Sequence, residues 1–308
     1  MVIWLCFCGA CGSLTAVAQP YTVAMITWRG DTLAEWGFME GLSHYDYDLR
    51  FIKFSTNQEI KQLDAAITAL KKDRVDLIYT FGTTATKRVL QQIKETPIVF
   101  NIVTRPVESG IIANWNSSGN NATGVSSMVP IIHQLKALKK VIDFKTLGII
   151  YNPMEQNSVI QRDITKKLET LLNFTLYEFK ITTGTDIPKI IKDINSAVDA
   201  VYLPSDSMVK TLGNDLMTGL NSLKIPSLSA MEDMVVNESA LIGLVPDYYQ
   251  LGRLAAIKAN LVFQGKHPSQ IPTSTLDHFD IILNMNTAKQ IGINIPTSIL
   301  IMADRIIR

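Results

Sequence analysis

Short runs of β-branched and aromatic residues alternate with stretches whose apolar positions recur every three or four residues, along nearly the whole chain. Runs at 21–27, 48–55, 76–82 and 97–103 predict strands, and the intervening stretches at 33–42, 57–72 and 83–94 predict helices. An Asn-, Ser- and Gly-rich stretch at 113–127 reads as irregular. The rhythm then restarts, with helices at 130–142, 157–172, 186–195 and 207–222 and strands at 146–151, 174–181, 197–204, 225–229 and 240–245. A helix at 246–264, a strand at 279–284 and helices at 286–292 and 297–304 complete the pattern. Strands and helices that alternate in this way build parallel sheets from right-handed βαβ units. Two such series separated by an irregular link predict an α/β fold of two doubly wound lobes. The segment 116–127 is the expected first passage between them. The last 60 or so residues are too long for a tail, so the chain is expected to cross back. The predicted lobes are therefore discontinuous: 19–125 plus 246–274, and 126–245 plus 275–308.

The first eighteen residues do not fit this rhythm. They are apolar and uncharged, end in Ala16-Val17-Ala18 and hold every cysteine in the protein, Cys6, Cys8 and Cys11. A small-x-small ending after an apolar run reads as a signal peptide at 1–18, which places the rest outside the cytoplasm. No Lys or Arg precedes the run, unlike most such leaders. A lipid anchor on Cys11, which follows Gly9-Ala10, stays open, although Cys8 is a poor match to that motif. Cleavage would leave no thiol, so packing alone holds the expected mature fold. With 47% apolar and 19% charged residues the chain is globular. A net charge of +1 gives no basic face for nucleic acid.

Doubly wound sheets bind ligands beyond the carboxyl ends of their strands, where helix N-termini present unpaired amides. Four strand-to-helix loops qualify. Gly82-Thr83-Thr84-Ala85 offers hydroxyls and a close backbone approach, or simply a Thr N-cap. Val103-Thr104-Arg105-Pro106 sets a guanidinium at the sheet mouth, either for an anion or for a surface ion pair. Tyr151 to Ser158 ends a strand and opens a helix, where Asn157 and Ser158 either hold a carboxylate or cap. Leu203-Pro204-Ser205-Asp206 places a carboxylate at a helix start, for a ligand ammonium or for the helix dipole alone. Enzyme signatures are missing: no G-x-G-x-x-G, G-x-x-x-x-G-K-[ST], H-E-x-x-H or G-x-S-x-G occurs. His44, His133, His267 and His278 are scattered without metal-ligand spacing. Neither catalysis, a metal nor a cofactor is expected.

At these same loops the chain resembles the ABC-transporter substrate-binding proteins of the type that includes tryptophan and tyrosine binders. The likeness rests on FGTTAT (81–86), VTRPVESGII (103–112), NATGVSS (121–127), YNPMEQNSV (151–159) and YLPSDSMV (202–209). IPSLSAMEDMV (225–235), DYYQLGRLAA (247–256), GKHPSQIP (265–272) and LNMNTAKQIGINIP (283–296) extend it over nearly the whole mature sequence. The resemblance implies the type I periplasmic-binding-protein fold: two lobes, three hinge crossings and a small ligand trapped between the lobes. The implied function is the extracytoplasmic or periplasmic solute-binding component of an ABC importer, working as a monomer with a membrane permease. The alternative is a sensor subunit for a membrane receptor. The expected ligand is an amino acid, with an aromatic one as the narrower reading. Thr83, Thr84, Asn157 and Ser158 would hold its carboxylate, Asp206 and Glu232 its ammonium, with Arg105 contributing from the opposite lobe. Trp28 would stack on an aromatic ligand or pack over the sheet edge. Two departures touch the cleft. Arg105 stands where the family commonly has Asp, and Thr27-Trp28-Arg29-Gly30-Asp31 lacks a His-Pro pattern.

Overall fold

A computed structural model describes residues 20–308, so the expected leader lies outside the described residues. The first sheet contains β1 (Tyr21–Thr27), β2 (Leu49–Ser55), β3 (Leu77–Phe81), β4 (Ile98–Val103) and β5 (Ala122–Ser126), in the order β2-β1-β3-β4-β5 and all parallel. Its early helices are α1 (Leu33–Ser43), α2 (Ile60–Leu70) and α3 (Thr83–Gln92). The second series runs α4 (Ile131–Val141), β6 (Thr146–Tyr151), α5 (Gln156–Lys167), α6 (Glu169–Leu172), β7 (Thr175–Lys180) and α7 (Ile187–Ile194). It continues with β8 (Ala200–Leu203), α8 (Ser207–Thr211), α9 (Gly213–Ser222), β9 (Ser227–Ser229), α10 (Glu232–Val236) and β10 (Ile242–Val245). The chain returns to the first lobe as α11 (Tyr248–Phe263), then finishes in the second as β11 (Asp280–Asn284), α12 (Met285–Ile291), α13 (Thr297–Met302) and β12 (Arg305–Ile307). The second sheet has the order β12-β11-β10-β9-β8-β6-β7, and within it β10 and β11 alone are antiparallel.

The expected architecture is therefore present: two doubly wound α/β lobes with three passages between them, near 127–130, 246–247 and 271–279. The first and third passages run side by side. Val125 bridges Ser274, and the Ser126 amide donates to the Ser274 carbonyl at 2.8 Å. The segment read as irregular corrects the sequence reading, because ATGVS within it is the buried strand β5. Its small residues hide it from a hydrophobicity scan, and the structure needs them. A Cβ on Gly124 would lie 2.1 Å from the Phe100 carbonyl oxygen. Two further corrections concern ends. The predicted helix 207–222 breaks between α8 and α9 at Leu212, and the predicted helix 297–304 stops at Met302 so that the chain can pair as β12.

Each lobe has its own core. In the first, Val23, Met25, Leu77, Tyr79 and Phe100 pack with Phe38 of α1 and Leu251 and Ala255 of α11. In the second, adjacent residues separate to opposite faces as the period of two requires: Ile149, Tyr202 and Leu283 on one, Ile150, Leu203 and Ile282 on the other. Within the first core Glu35 is fully buried. It accepts from the Tyr79 hydroxyl at 2.7 Å and from the Thr32 amide at 2.7 Å, which closes a capping box on α1. Burial raises its pKa above the usual carboxylate value against those hydrogen bonds. α11 and α1 meet through Gly37, Gly41 and Gly252, which lets the backbones touch.

Candidate functional site

The carboxyl ends of both sheets face one another across a narrow cavity, which the shut lobes reduce to about 20 Å³. That is far below the range for occupied small-molecule sites, about 300–1,000 Å³, so a guest of amino-acid size requires the lobes to part. The first lobe supplies Trp28 and Arg29 after β1, Phe81, Gly82 and Thr83 at the β3–α3 junction, and Ile102 and Thr104 from the end of β4. The second supplies Glu155 and Asn157 at the start of α5 and Ser205, Asp206 and Ser207 at the start of α8.

Local backbone geometry aims these groups. Gly82 has φ +86°, a conformation that L side chains rarely adopt, and caps α3 without a side chain, so the first α3 amides face the seam unshielded. On β4 the register with β5 shifts between Phe100 and Val103, and Ile102 takes φ +54°. A β-branched residue at positive φ is strained. The Asn101 side chain holds it there by accepting from the Ile102 amide at 2.9 Å. Strain of this kind clusters at binding sites, and here the bulge turns Ile102 into the cavity wall.

Two buried carboxylates dominate the second lobe's wall, and they differ in use. Asp206, 1% exposed, accepts from the Asn152 amide at 2.7 Å, the Val209 amide at 3.0 Å and the Ser158 hydroxyl. It is an N-cap that ties two loops together, and its lone pairs are largely spent. Burial raises its pKa, opposed by those hydrogen bonds. Glu155, 8% exposed, accepts from the Ser207 amide at 2.9 Å, the Ser207 hydroxyl at 3.2 Å and the Asn157 amide group at 3.2 Å. Burial, and then the negative charge of Asp206, push its pKa up to about 7. Behind both, Gln161 fixes the Ser205 loop by donating to its carbonyl and accepting from its amide, each at 3.1 Å.

Of the residues expected from sequence, Trp28, Thr83, Asn157 and Asp206 stand in the cavity wall. Four others do not. Ser158 donates to Asp206 behind the wall. Thr84 faces a side chamber at the mouth, with Lys87 and Gln156. Arg105 turns towards Glu108, 3.6 Å away, because the bulge before it rotates the loop, and its Nε is buried without a partner. Glu232 pairs with Arg305 of β12 and lines an outer chamber with Asp31, Trp36 and Asp233. Sequence reasoning passed over Arg29 and Glu155. Glu155 lies in the same Tyr151–Ser158 loop as Asn157 and Ser158, one residue before α5, and carries no helix-capping pattern of its own. Arg29 lines both the inner cavity and the outer chamber.

The lobes are shut. Gln58 of the first donates to Thr211 of the second at 2.6 Å, and Lys87 donates to Gln156 at 2.7 Å. Among the described residues one group has metal-ligand convergence, His278, Asp280 and Asp304, and none of the three lines the cavity.

A sequence profile described as ABC transporter substrate binding protein matches residues 23–307. The chain belongs to that family. As a substrate-binding protein it binds a small molecule and is not an enzyme; proteins of this class are extracytoplasmic and operate with ABC transporters. None of its described helices is long and apolar enough to cross a membrane. It is 30% identical over 261 residues to the tyrosine-binding protein of Clostridioides difficile (strain R20291), covering 83% of this chain and 75% of that protein. Its fold superposes on the ABC domain from Streptococcus pneumonia in complex with L-Trp, with a TM-score of 0.88 at 22% identity, over 94% of this chain and all of that one (100%). It also matches the ligand-free, open structure of a substrate-binding protein with adhesive properties from Clostridium difficile, with a TM-score of 0.72 at 23% identity, over 93% and 99% of the two chains.

The roles of the two carboxylates predict different mutant behaviour. Replacing Asp206 by Ala strands two backbone amides and a hydroxyl in a dry site, so the ligand-free protein should lose about 3 kcal/mol or more. Thermal melting checks this. A variant that melts like the parent would show that Asp206 does not tie the two loops together.

Proposed function

We propose that this substrate-binding protein captures an aromatic amino acid outside the cytoplasm, closes both lobes over it, and delivers it to the permease of an ABC importer. One observation carries the reading. The cavity combines an apolar, partly aromatic wall of Trp28, Phe81 and Ile102 with a buried carboxylate, Glu155, whose partners are all neutral. An ammonium beside Glu155 and a ring against the apolar wall satisfy both. Thr83, with the open amides of α3, and Asn157 supply the polar contacts that orient the guest. The tyrosine-binding relative and the L-Trp-bound neighbour support the same ligand class. In this reading residues 1–18 are the export leader, and the protein works as a monomer.

Contacts from both lobes give the ligand a higher affinity for the shut state, which is what shifts an open–closed equilibrium. Thermal-shift screening tests the assignment. L-tyrosine, L-tryptophan or L-phenylalanine should raise the melting temperature in a concentration-dependent way, while hexoses and dicarboxylates leave it unchanged. Stabilisation by a sugar alone would replace the proposed ligand class. Uptake of the labelled amino acid that stops when the gene is deleted would support the importer role, and undiminished uptake would remove it.

A further inference from the structure

Two opposite charges face the same cavity from different lobes, and neither is in a close ion pair, Arg29 acting on Glu155 only at longer range. Arg29, after β1, directs its guanidinium at neutral groups. It donates to the Tyr248 hydroxyl at 3.2 Å and to Met231 Sδ at 3.5 Å, and lies 5.3 Å from the centre of the Phe81 ring. Glu155, at the start of α5, accepts from the amide and hydroxyl of Ser207 and from Asn157. Among the described residues neither side chain takes part in an ion pair within 4.0 Å, although both line the one narrow cavity between the lobes. A guanidinium has five donors in a fixed fork that matches a carboxylate. A buried carboxylate without a cation carries a desolvation cost that a ligand ammonium would offset.

We propose that Arg29 and Glu155 form a charge clasp that reads both ends of a zwitterion, with the ligand's α-carboxylate at Arg29 and its α-ammonium at Glu155. This rests on the preceding reading that the cavity takes an amino acid, and it adds which groups recognise the backbone of that amino acid. Placed between the two charges, a zwitterion completes two ion pairs, one to each lobe. A lone amine satisfies Glu155 and leaves Arg29 unpaired; a lone acid does the reverse. The clasp therefore ties closure to the presence of both ligand charges. Arg29 also lines both the inner cavity and the outer chamber.

Isothermal calorimetry on the intact protein tests this with three probes: L-tyrosine, tyramine, which lacks the carboxylate, and 3-(4-hydroxyphenyl)propionate, which lacks the ammonium. The tryptophan series of L-tryptophan, tryptamine and indole-3-propionate runs in parallel. In the parent protein the amino acid should bind at least 100-fold more tightly than either analogue. Arg29→Gln should weaken amino-acid binding at least 30-fold and leave the amine unchanged within threefold. Glu155→Gln should weaken amino-acid binding similarly and leave the acid unchanged. The analogue comparison needs no variant, so a misfolded mutant does not block the test. An amine or acid that binds within threefold of the amino acid overturns the clasp while the amino-acid reading stands. So does Arg29→Gln weakening the amino acid and the amine equally. Failure of both amino acids to bind, with another solute class taking the site, overturns the two proposals together.

Discussion

Replacing Gly252 with alanine is expected to lower the melting temperature by about 5 °C or more, although alanine is the better helix former. An exposed Gly→Ala change within a helix gains about 1 kcal/mol from propensity, so the sign of the shift decides whether packing or propensity wins. Here the added Cβ would lie 2.1 Å from the Ala34 carbonyl oxygen and 2.8 Å from the Phe38 amide nitrogen. Both are backbone atoms of α1, which cannot turn aside as a flexible side chain would. Gly37 on the facing helix is equally tight, its added Cβ falling 2.1 Å from the Tyr249 carbonyl oxygen. Overpacking costs about 1–3 kcal/mol or more, and each kcal/mol moves the midpoint of a domain of this size by about 2–4 °C. Differential scanning calorimetry of Gly252→Ala and Gly37→Ala checks the expectation. A rise in midpoint for either would show that α1 and α11 do not touch as described.

Ligand affinity is expected to fall steeply as the pH drops below 7. Glu155 has its pKa raised from an ordinary 4.5 to about 7 by burial and by Asp206, while the amide of Ser207, Asn157 and, at longer range, Arg29 oppose the rise. Asp206 itself is shifted upward by burial. A ligand ammonium stays charged throughout this range and binds the ionised carboxylate, so each pH unit below 7 should cost nearly tenfold in affinity. The ligand-free protein responds with the opposite slope. A folded pKa above the unfolded one gives a stabilising contribution that is complete below about 4.5 and is lost as the pH rises through 7. From pH 5 to 8 this group thus weakens the empty protein while the ligand's stabilising effect grows. Melting curves with and without the amino acid over that range should diverge, and Glu155→Gln should flatten both trends. Equal affinity at pH 5.5 and 7.5 would mean that Glu155 does not receive the ammonium.

The sequence was most readable where strands are buried on both faces. β1, β3, β4 and β6 appear as mostly apolar runs interrupted by single residues such as Thr80, Asn101 and Gly148, and the βα rule places the site at their ends. The strand β5 was hidden because close approach to Phe100 demands Gly124, and β12 because three residues carry no period. The site was legible as loops but only partly as residues. Asp206 was visible as a carboxylate at a helix start, yet its partner amide at Asn152 comes from another strand end 54 residues earlier. Arg105 was the cation the loop offered, but the bulge at Ile102 sets the direction in which that loop leaves the sheet. Arg29 and Glu155 carry no local signature. Their roles come from the gap between two lobes, and no single stretch of chain contains it.

The return of α11 to the first sheet also constrains how the protein can be made. A polypeptide that emerges amino end first, in synthesis or through an export channel, presents β1 to β5 with one face of that sheet lacking its proper cover. The missing helix does not exist until the chain has run on from Ser126 to Tyr248 and beyond. The half that appears first is therefore the half whose folding must wait. Cutting the gene between the two lobes would yield no independent unit, because the amino-terminal fragment would lack the helix that seals it.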